Sequence, residues 1–207
     1  MDKTKEMFIH VSRNMVESKD ILTQADKAIG DGDHGIGMAR GFEAVEKKLA
    51  NQDYENLSDL LASIGMTLMG SIGGAAGAVF GTFFKGGAKN LKDQKFFDIK
   101  ALSIMLQDGL QAVEERGKAK PGDKTMIDAL EPAKMKSIEV SSQPLVDAIE
   151  NMAEAARQGM ENTKDMIATT GKAKTLGERS LGHPDPGAVS MYLILKFMHE
   201  YVLKVSK

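Results

Sequence analysis

The chain of 207 residues contains no cysteine and no tryptophan, and aromatic side chains make up only 5% of it. Without cysteine, disulfides, thiol catalysis and cysteine-ligated zinc are excluded. Basic residues (27) and acidic residues (29) nearly balance, and the net charge of -2 argues against a surface that binds nucleic acid directly. No apolar run reaches the roughly 20 residues of a membrane helix, and none follows the N-terminus as in a signal peptide. These absences predict a cytoplasmic protein that contacts no membrane.

Long alternating runs, which are typical of β-strands, are also missing, and apolar residues instead recur at spacings of three and four. One such stripe runs through Leu102, Leu106, Leu110 and Val113. Fourteen methionines suit irregular packing between helices. The pattern predicts one all-α domain over residues 1–207 with about eight helices.

Three aspartates, Asp26, Asp31 and Asp33, stand at the first glycine-rich connection. Asp26 ends the preceding helix, and the single glycine between Asp31 and Asp33 allows a turn that points both side chains the same way. Carboxylate oxygens suit magnesium, which completes its coordination shell with water and phosphate oxygens. The three side chains are therefore candidate ligands for two magnesium ions on a nucleotide. A solvated turn in which Asp33 caps the next helix is the alternative that the spacing leaves open.

Small residues dominate the segment from Gly70 to Gly81. A helix that begins here would direct free N–H groups and its positive end toward an anion. The segment is not a Walker loop, because no Gly-Lys-Ser/Thr follows. Close packing of a neighbouring helix against Gly77 and Gly81 explains the same composition, so both interpretations stay open.

Two further connections contain residues that a simple helical turn does not need. Residues 116–130 form a basic turn before a helix that Asp123 or Thr125 could cap, and a solvated loop or a nucleotide-facing one would both fit. In residues 176–188, two prolines restrict the backbone around Asp185 before the last helix begins. This turn is either a wall for a base or ribose, or a stiff helix start.

Together these segments resemble the L subunit, or L domain, of dihydroxyacetone kinases, and the resemblance spans the chain in order. The motifs that carry it are Ile29-Gly30-Asp31-Gly32-Asp33-His34-Gly35, Gly73-Gly74-Ala75, Gly122-Asp123-Lys124-Thr125-Met126-Ile127-Asp128-Ala129-Leu130, Leu176-Gly177-Glu178-Arg179-Ser180 and His183-Pro184-Asp185-Pro186-Gly187-Ala188. The resemblance implies a closed barrel of eight antiparallel amphipathic helices, with nucleotide bound by loops at one rim.

The resemblance also implies functional residues and ligands. It assigns two Mg²⁺ ions to Asp26, Asp31 and Asp33, and ADP or ATP to the same site. The positions that it places along the nucleotide are His34, Gly35, Ile36, Gly37, Ala75, Ala76, Gly117, Met126, Lys172, Asp185, Pro186 and Gly187. No general base is assigned to this chain.

The partners follow from the same resemblance. A separate K subunit holds dihydroxyacetone, and a free-standing L subunit favours ADP that stays bound and is rephosphorylated by a phosphohistidine protein, the M subunit. An ATP-exchanging kinase for a related small ketose, a regulatory role toward a transcription activator and a homodimer stay open. So do a fatty acid kinase domain, whose acidic loop has Thr where His34 stands, and a purely structural bundle.

Four positions depart from the usual pattern of the family. Gly37 replaces an Asn, Ala76 a Ser, Lys172 an Arg and Thr175 a Tyr. The exchange of Arg for Lys keeps the charge but loses the bidentate fork. We expect binding to survive these changes, with altered affinity or choice of phosphoryl donor.

Overall fold

The structure, a computed structural model, describes residues 1–94 and 96–206. Over these residues it consists of helices and their connections, without a strand, which confirms the predicted all-α class. The α-helices are α1 (Asp2–Glu17), α2 (Lys19–Ile29), α3 (His34–Ala50), α4 (Leu57–Ser71), α5 (Gly74–Gly87), α6 (Ile99–Gly117), α7 (Ile127–Glu139), α8 (Leu145–Asn162) and α9 (Pro186–Val205). Two 3-10 helices follow α8, at Thr163–Asp165 and Lys172–Ser180. The prediction of one domain includes Lys95 and Lys207, which lie outside the described residues.

The first predicted helix is divided at Ser18 into α1 and α2. The Ser18 hydroxyl donates to the carbonyl of Asn14 at 2.8 Å, and the backbone N–H of Ser18 bonds to the same oxygen at 2.9 Å. A serine hydroxyl that shares this carbonyl bends a helix. If α1 and α2 count as one bent helix, the described part of the chain has the eight helices that periodicity predicts.

The apolar stripes form the core. Leu102 and Leu106 are fully buried in α6, and Leu110 and Val113 continue the same buried face. The Phe8 ring of α1 packs edge-on against Phe84 and Phe97, at centroid distances of 6.1 and 5.7 Å. None of the helices in residues 1–94 and 96–206 has both the length and the hydropathy needed to cross a bilayer.

Each helix packs against the next one along the chain, and α9 also packs against α1. The pairing of α4 with α5 is antiparallel, since Gly65 lies against Gly81 whereas Gly77 lies against Leu68. This cyclic order of neighbours is compatible with the closed barrel that the resemblance implies. The connections α2–α3, α4–α5, α6–α7 and α8–α9 reach the same end of the bundle, where residues of all four line one cavity.

Glycines permit the closest helix crossings. At Gly159 of α8, a Cβ atom would lie 2.1 Å from the backbone oxygen of Asp128 in α7. Because the clashing atom belongs to the backbone, rotation of a side chain cannot remove the clash. Gly70 in α4 offers a contrast, because a Cβ there would meet nothing within 4 Å. Alanine substitutions at Gly159 and Gly70 therefore distinguish the effect of close helix packing from the effect of helix propensity.

We expect Gly159→Ala to lower the free energy of unfolding by about 1–3 kcal/mol, because α8 must move away from α7. The matched control Gly70→Ala should raise it by about 0.5–1 kcal/mol, since alanine restricts the unfolded chain. Urea denaturation measures both changes. Equal effects of the two substitutions would contradict the close crossing.

Candidate functional site

Four connections meet around a cavity of about 610 Å³ at one end of the bundle. Its wall is built by residues of the segments 26–40, 72–80, 113–127, 170–173 and 185–187. This volume is typical of sites that enclose a small molecule. The cavity thus collects all four of the segments that stand out in the sequence.

An acidic cluster of Asp26, Asp31 and Asp33 lies at this cavity, with carboxylate oxygens within 4.8 Å of one another. Asp26 is 9% exposed, whereas the side chains of Asp31 and Asp33 are 53% and 70% exposed. Asp26 Oδ2 accepts the backbone N–H of His34 at 3.1 Å. The alternative in which the Asp33 side chain caps α3 is wrong, because that side chain makes no capping bond and Asp26 accepts the N–H of His34 instead.

The glycines between these aspartates are required by space and by backbone geometry. A Cβ at Gly30 would lie 2.1 Å from Asp26 Oδ1, so a side chain there would displace that carboxylate. Gly32 has a φ of +78°, in the left-handed region that side chains disfavour. The alternation of glycine and aspartate thus lets three carboxylates approach one another.

A lysine ammonium supplies part of the countercharge of the acidic cluster. Lys172 Nζ donates to Asp31 Oδ2 at 2.5 Å and to Asp33 Oδ2 at 3.3 Å. The hydrogen bond lowers the pKa of Asp31 and raises the pKa of Lys172. Three carboxylates and one ammonium give the cluster a net charge of about −2, and the atoms that could ligate a metal are all oxygens. This donor set fits a divalent hard cation such as magnesium.

The N-terminus of α5 contributes to the same cavity. Gly73 and Gly74 have φ values of +81° and +58°, and a Cβ at Gly74 would meet nothing within 4 Å, so this backbone is open to close approach. The first N–H groups of a helix have no partner within it and favour an anion. Farther along, a Cβ at Gly81 would lie 2.7 Å from Met69 Cβ. Close packing is therefore confirmed at Gly81, whereas anion binding at the start of α5 stays a prediction.

Arg40 supports the turn before α5, a role that the sequence did not indicate. Its Nε donates to the backbone oxygen of Ser71 at 2.6 Å, and its Nη2 donates to that of Ile72 at 2.5 Å. A cation at these carbonyls stabilises the C-terminal end of α4. Arg40 thereby holds the backbone that enters the Gly73 turn, and its side chain contributes to the cavity wall.

Lys124 links the two long connections of the site. It is 2% exposed, and its Nζ donates to the backbone oxygens of Thr163, Ser180 and His183 at 2.6, 2.7 and 2.6 Å. Desolvation lowers the pKa of Lys124. A solvated basic turn is therefore the wrong interpretation at this residue, because a lysine that satisfies three carbonyls can be buried.

Asp128 organises the turn that carries Lys124. Its two carboxylate oxygens accept the backbone N–H groups of Gly122 at 2.6 Å and of Thr125 at 2.7 Å. Of the two possible caps, Asp123 is not one, since its side chain accepts from Lys120 N and Thr169 Oγ1. Thr125 Oγ1 instead accepts the backbone N–H of Ile127, the first residue of α7, at 3.2 Å. Asp128, inside the following helix, therefore fixes this turn through two backbone N–H groups.

His34 connects the acidic loop to the first turns of α9. His34 Nε2 lies 2.8 Å from Ser190 Oγ, which itself donates to the backbone oxygen of Pro186 at 3.0 Å. Since the hydroxyl hydrogen is thereby used, His34 Nε2 is the donor to Ser190. Burial lowers the pKa of His34, which agrees with a neutral ring.

Asp185 forms the rigid start of α9, as its neighbouring prolines indicate. Its carboxylate caps the helix by accepting Ala188 N at 2.8 Å, and its own N–H donates to Thr163 Oγ1 at 2.9 Å. Burial raises the pKa of Asp185 to about 7, although the bond from Ala188 favours the charged form. The carboxyl group faces the cavity together with Pro186 and Gly187.

The structure brings nearly all predicted site residues to this cavity. Those in its wall are Asp26, Asp33, His34, Ile36, Gly37, Ala75, Ala76, Gly117, Met126, Lys172, Asp185, Pro186 and Gly187. Asp31 joins through the acidic cluster. Gly35 instead lies behind the wall, where a Cβ would approach the backbone oxygen of Lys19 to 2.2 Å. The binding role of each residue remains a prediction.

These features define an all-helical domain whose loops form one acidic, glycine-rich site. Residues 28–200 match the family model of the DAK2 domain. The chain therefore belongs to the DAK2 domain family.

Proteins similar to this chain include kinase subunits of about its own length and longer kinases. The chain is 41% identical to the "PEP-dependent dihydroxyacetone kinase 1, ADP-binding subunit DhaL" of Listeria innocua, covering 88% of this chain and 87% of that protein. It is 40% identical to the corresponding DhaL subunit of Escherichia coli, covering 86% and 85%. The crystal structure of the C. freundii dihydroxyacetone kinase in complex with AMP-PNP and Mg²⁺ matches with a TM-score of 0.74 and 27% identity. That match covers 95% of this chain but 33% of the larger kinase.

We expect Lys124→Met to lower the free energy of unfolding by about 3 kcal/mol, because three carbonyls lose their shared donor. Urea denaturation measures this loss, and amide hydrogen exchange should rise in residues 163–183. Lys120→Met, at an exposed lysine of the same turn, should change stability by less than about 0.5 kcal/mol. Equal losses in the two variants would contradict the role of the Lys124 ammonium.

Asp185 makes the stability of the ligand-free protein depend on pH. Because folding raises its pKa from 3.8 to about 7, its stabilising contribution is present below the unfolded pKa and is lost as the pH rises through the folded value. Between about pH 5 and about pH 8 the wild type should lose on the order of 1 kcal/mol more stability than Asp185→Asn. Parallel stability profiles of the two proteins would show that burial does not affect this carboxyl group.

Proposed function

We propose that this chain is the nucleotide-binding subunit of a dihydroxyacetone kinase. The observation that carries the proposal is one cavity that joins a cluster of three carboxylates to the N-terminus of α5. Oxygen ligands for a metal and free N–H groups for phosphate are the two elements that binding of a metal–nucleotide complex requires. The printed names of the DhaL relatives, which are ADP-binding subunits, support the nucleotide.

In this proposal Asp26, Asp31 and Asp33 hold two Mg²⁺ ions on ADP or ATP. The backbone N–H groups of Gly74, Ala75 and Ala76 hold phosphate oxygens. The apolar wall farther along the cavity, which includes Val79, Val113 and Met126, encloses the base. The Mg²⁺-bearing C. freundii structure supports the choice of metal.

The reaction is the transfer of a terminal phosphoryl group to a hydroxyl group of dihydroxyacetone, which a separate K subunit binds. Bound magnesium offsets charge on the phosphoryl group during transfer. The chain's own residues position the nucleotide for the transfer. Phosphoryl transfer requires positioning and charge more than a protein nucleophile, so no general base is assigned here.

We further propose that ADP stays bound and is rephosphorylated by a phosphohistidine M subunit. The DhaL relatives, named as parts of PEP-dependent kinases, support this version. An ATP-exchanging subunit for a related small ketose is the second version, and nucleotide exchange distinguishes the two. Contact with a transcription activator and formation of a homodimer remain predictions from the resemblance.

Native mass spectrometry tests the proposal. The wild type should carry a mass increment of one ADP and two magnesium ions, and chelation should remove it, because the carboxylates hold the nucleotide through the metal. Asp31→Asn should lose most of the bound nucleotide, whereas Asp20→Asn should retain it, because Asp20 is an exposed aspartate at the start of α2, away from the acidic cluster.

Each alternative predicts a different spectrum. Ready replacement of ADP by added ATP would favour the ATP-exchanging version. A wild type that binds no nucleotide with magnesium present would refute the proposed function. Phosphorylation of dihydroxyacetone after a K subunit and an M subunit are added would then test the complete reaction.

A further inference from the structure

The contact between Lys172 and the acidic cluster joins two distant parts of the chain. Lys172 Nζ lies on the same two exposed carboxylates, Asp31 and Asp33, that are candidate metal ligands. It approaches one oxygen of each, at 2.5 and 3.3 Å, so the ammonium occupies ligand positions that a cation needs. Asp26, the buried member of the cluster, instead uses one oxygen for the backbone of α3.

Lys172 can leave this position at little cost. Its side chain is 61% exposed, and exposed ion pairs contribute little to stability. Gly171 and Gly177 on either side have positive φ values, and a Cβ at either would meet nothing within 4 Å. The far end of the segment is fixed, because Ser180 is fully buried and its carbonyl accepts from Lys124. The segment Lys172–Ser180 is therefore fixed at Ser180, whereas the Lys172 side chain at its start can change position.

We propose that Lys172 is a tethered counterion of the site, which competes with divalent metal for Asp31 and Asp33 and moves to the phosphates of the nucleotide once metal is bound. This inference rests on the proposed function, since it needs a metal–nucleotide complex as the ligand. A lysine suits the exchange because its ammonium is a point charge on a flexible stem. Lys172 thus opposes binding of metal alone and favours binding of metal together with nucleotide.

Removal of the Lys172 charge should therefore raise the affinity for metal alone and lower the affinity for nucleotide with metal. Lys172→Met should bind Mn²⁺ alone roughly three- to tenfold more tightly than the wild type, because no ammonium competes for the carboxylates. The same variant should bind ADP in the presence of Mg²⁺ roughly three- to tenfold more weakly, because a phosphate contact is lost. A merely structural role would weaken both.

Electron paramagnetic resonance measures Mn²⁺ binding, and calorimetry measures Mg²⁺-dependent ADP binding. Lys172→Arg keeps the charge and should bind Mn²⁺ alone as weakly as the wild type. Lys174→Met removes an exposed charge two residues away and should match the wild type in both measurements. These controls separate a charge on the carboxylates from a general change in electrostatic potential.

The possible failures are distinguishable. If Lys172→Met binds Mn²⁺ no more tightly than the wild type, while the wild type binds ADP with Mg²⁺, the competition is refuted and the proposed function stands. Tighter binding of both ligands would refute the transfer of Lys172 to the phosphates. If the wild type binds neither Mn²⁺ nor ADP with Mg²⁺, the proposed function fails and this inference fails with it.

Discussion

The geometry of the site depends on the hydrogen bonds that the buried ammonium group of Lys124 donates to three backbone carbonyls. These three hydrogen bonds fix the connection before α7 to the long connection between α8 and α9 at Thr163, Ser180 and His183. Both Lys172 and Asp185 belong to that second connection, which this contact anchors at three points. A buried charge is tolerated only when its donors are satisfied, and here backbone carbonyls rather than a carboxylate accept them. The helices provide a rigid frame, but this lysine determines how the loops meet.

Charge balance explains why the site suits a metal with an anionic ligand. The acidic cluster retains two negative charges after pairing with Lys172, whereas the start of α5 has a positive electrostatic potential and free N–H groups. In the proposed function, a divalent cation would neutralise the first and phosphate would satisfy the second. The acidic cluster and the free N–H groups thus complement the two parts of a metal–nucleotide complex. The similarity to kinase subunits and the geometry of the cavity both support the proposed function.

Helical periodicity predicted the all-α class and the buried stripe through Leu102 and Leu106, because burial of one helix face is a local property. The acidic cluster was also predictable, since Asp31 and Asp33 are two residues apart and need only a turn. The contacts of Lys124 were not, because its partners are carbonyls 39 to 59 residues away and carry no side-chain signal. The same holds for Lys172, which meets Asp31 across 141 residues. The division at Ser18 depended on one hydroxyl that could equally have faced solvent.

A crystal structure of the protein with ADP and Mg²⁺ tests the central claim most directly. The account predicts metal density bound to carboxylate oxygens of Asp26, Asp31 and Asp33, phosphate oxygens at the N-terminus of α5, and Lys172 turned away from Asp31. Nucleotide bound elsewhere, or bound in this cavity without metal at the three aspartates, would contradict it.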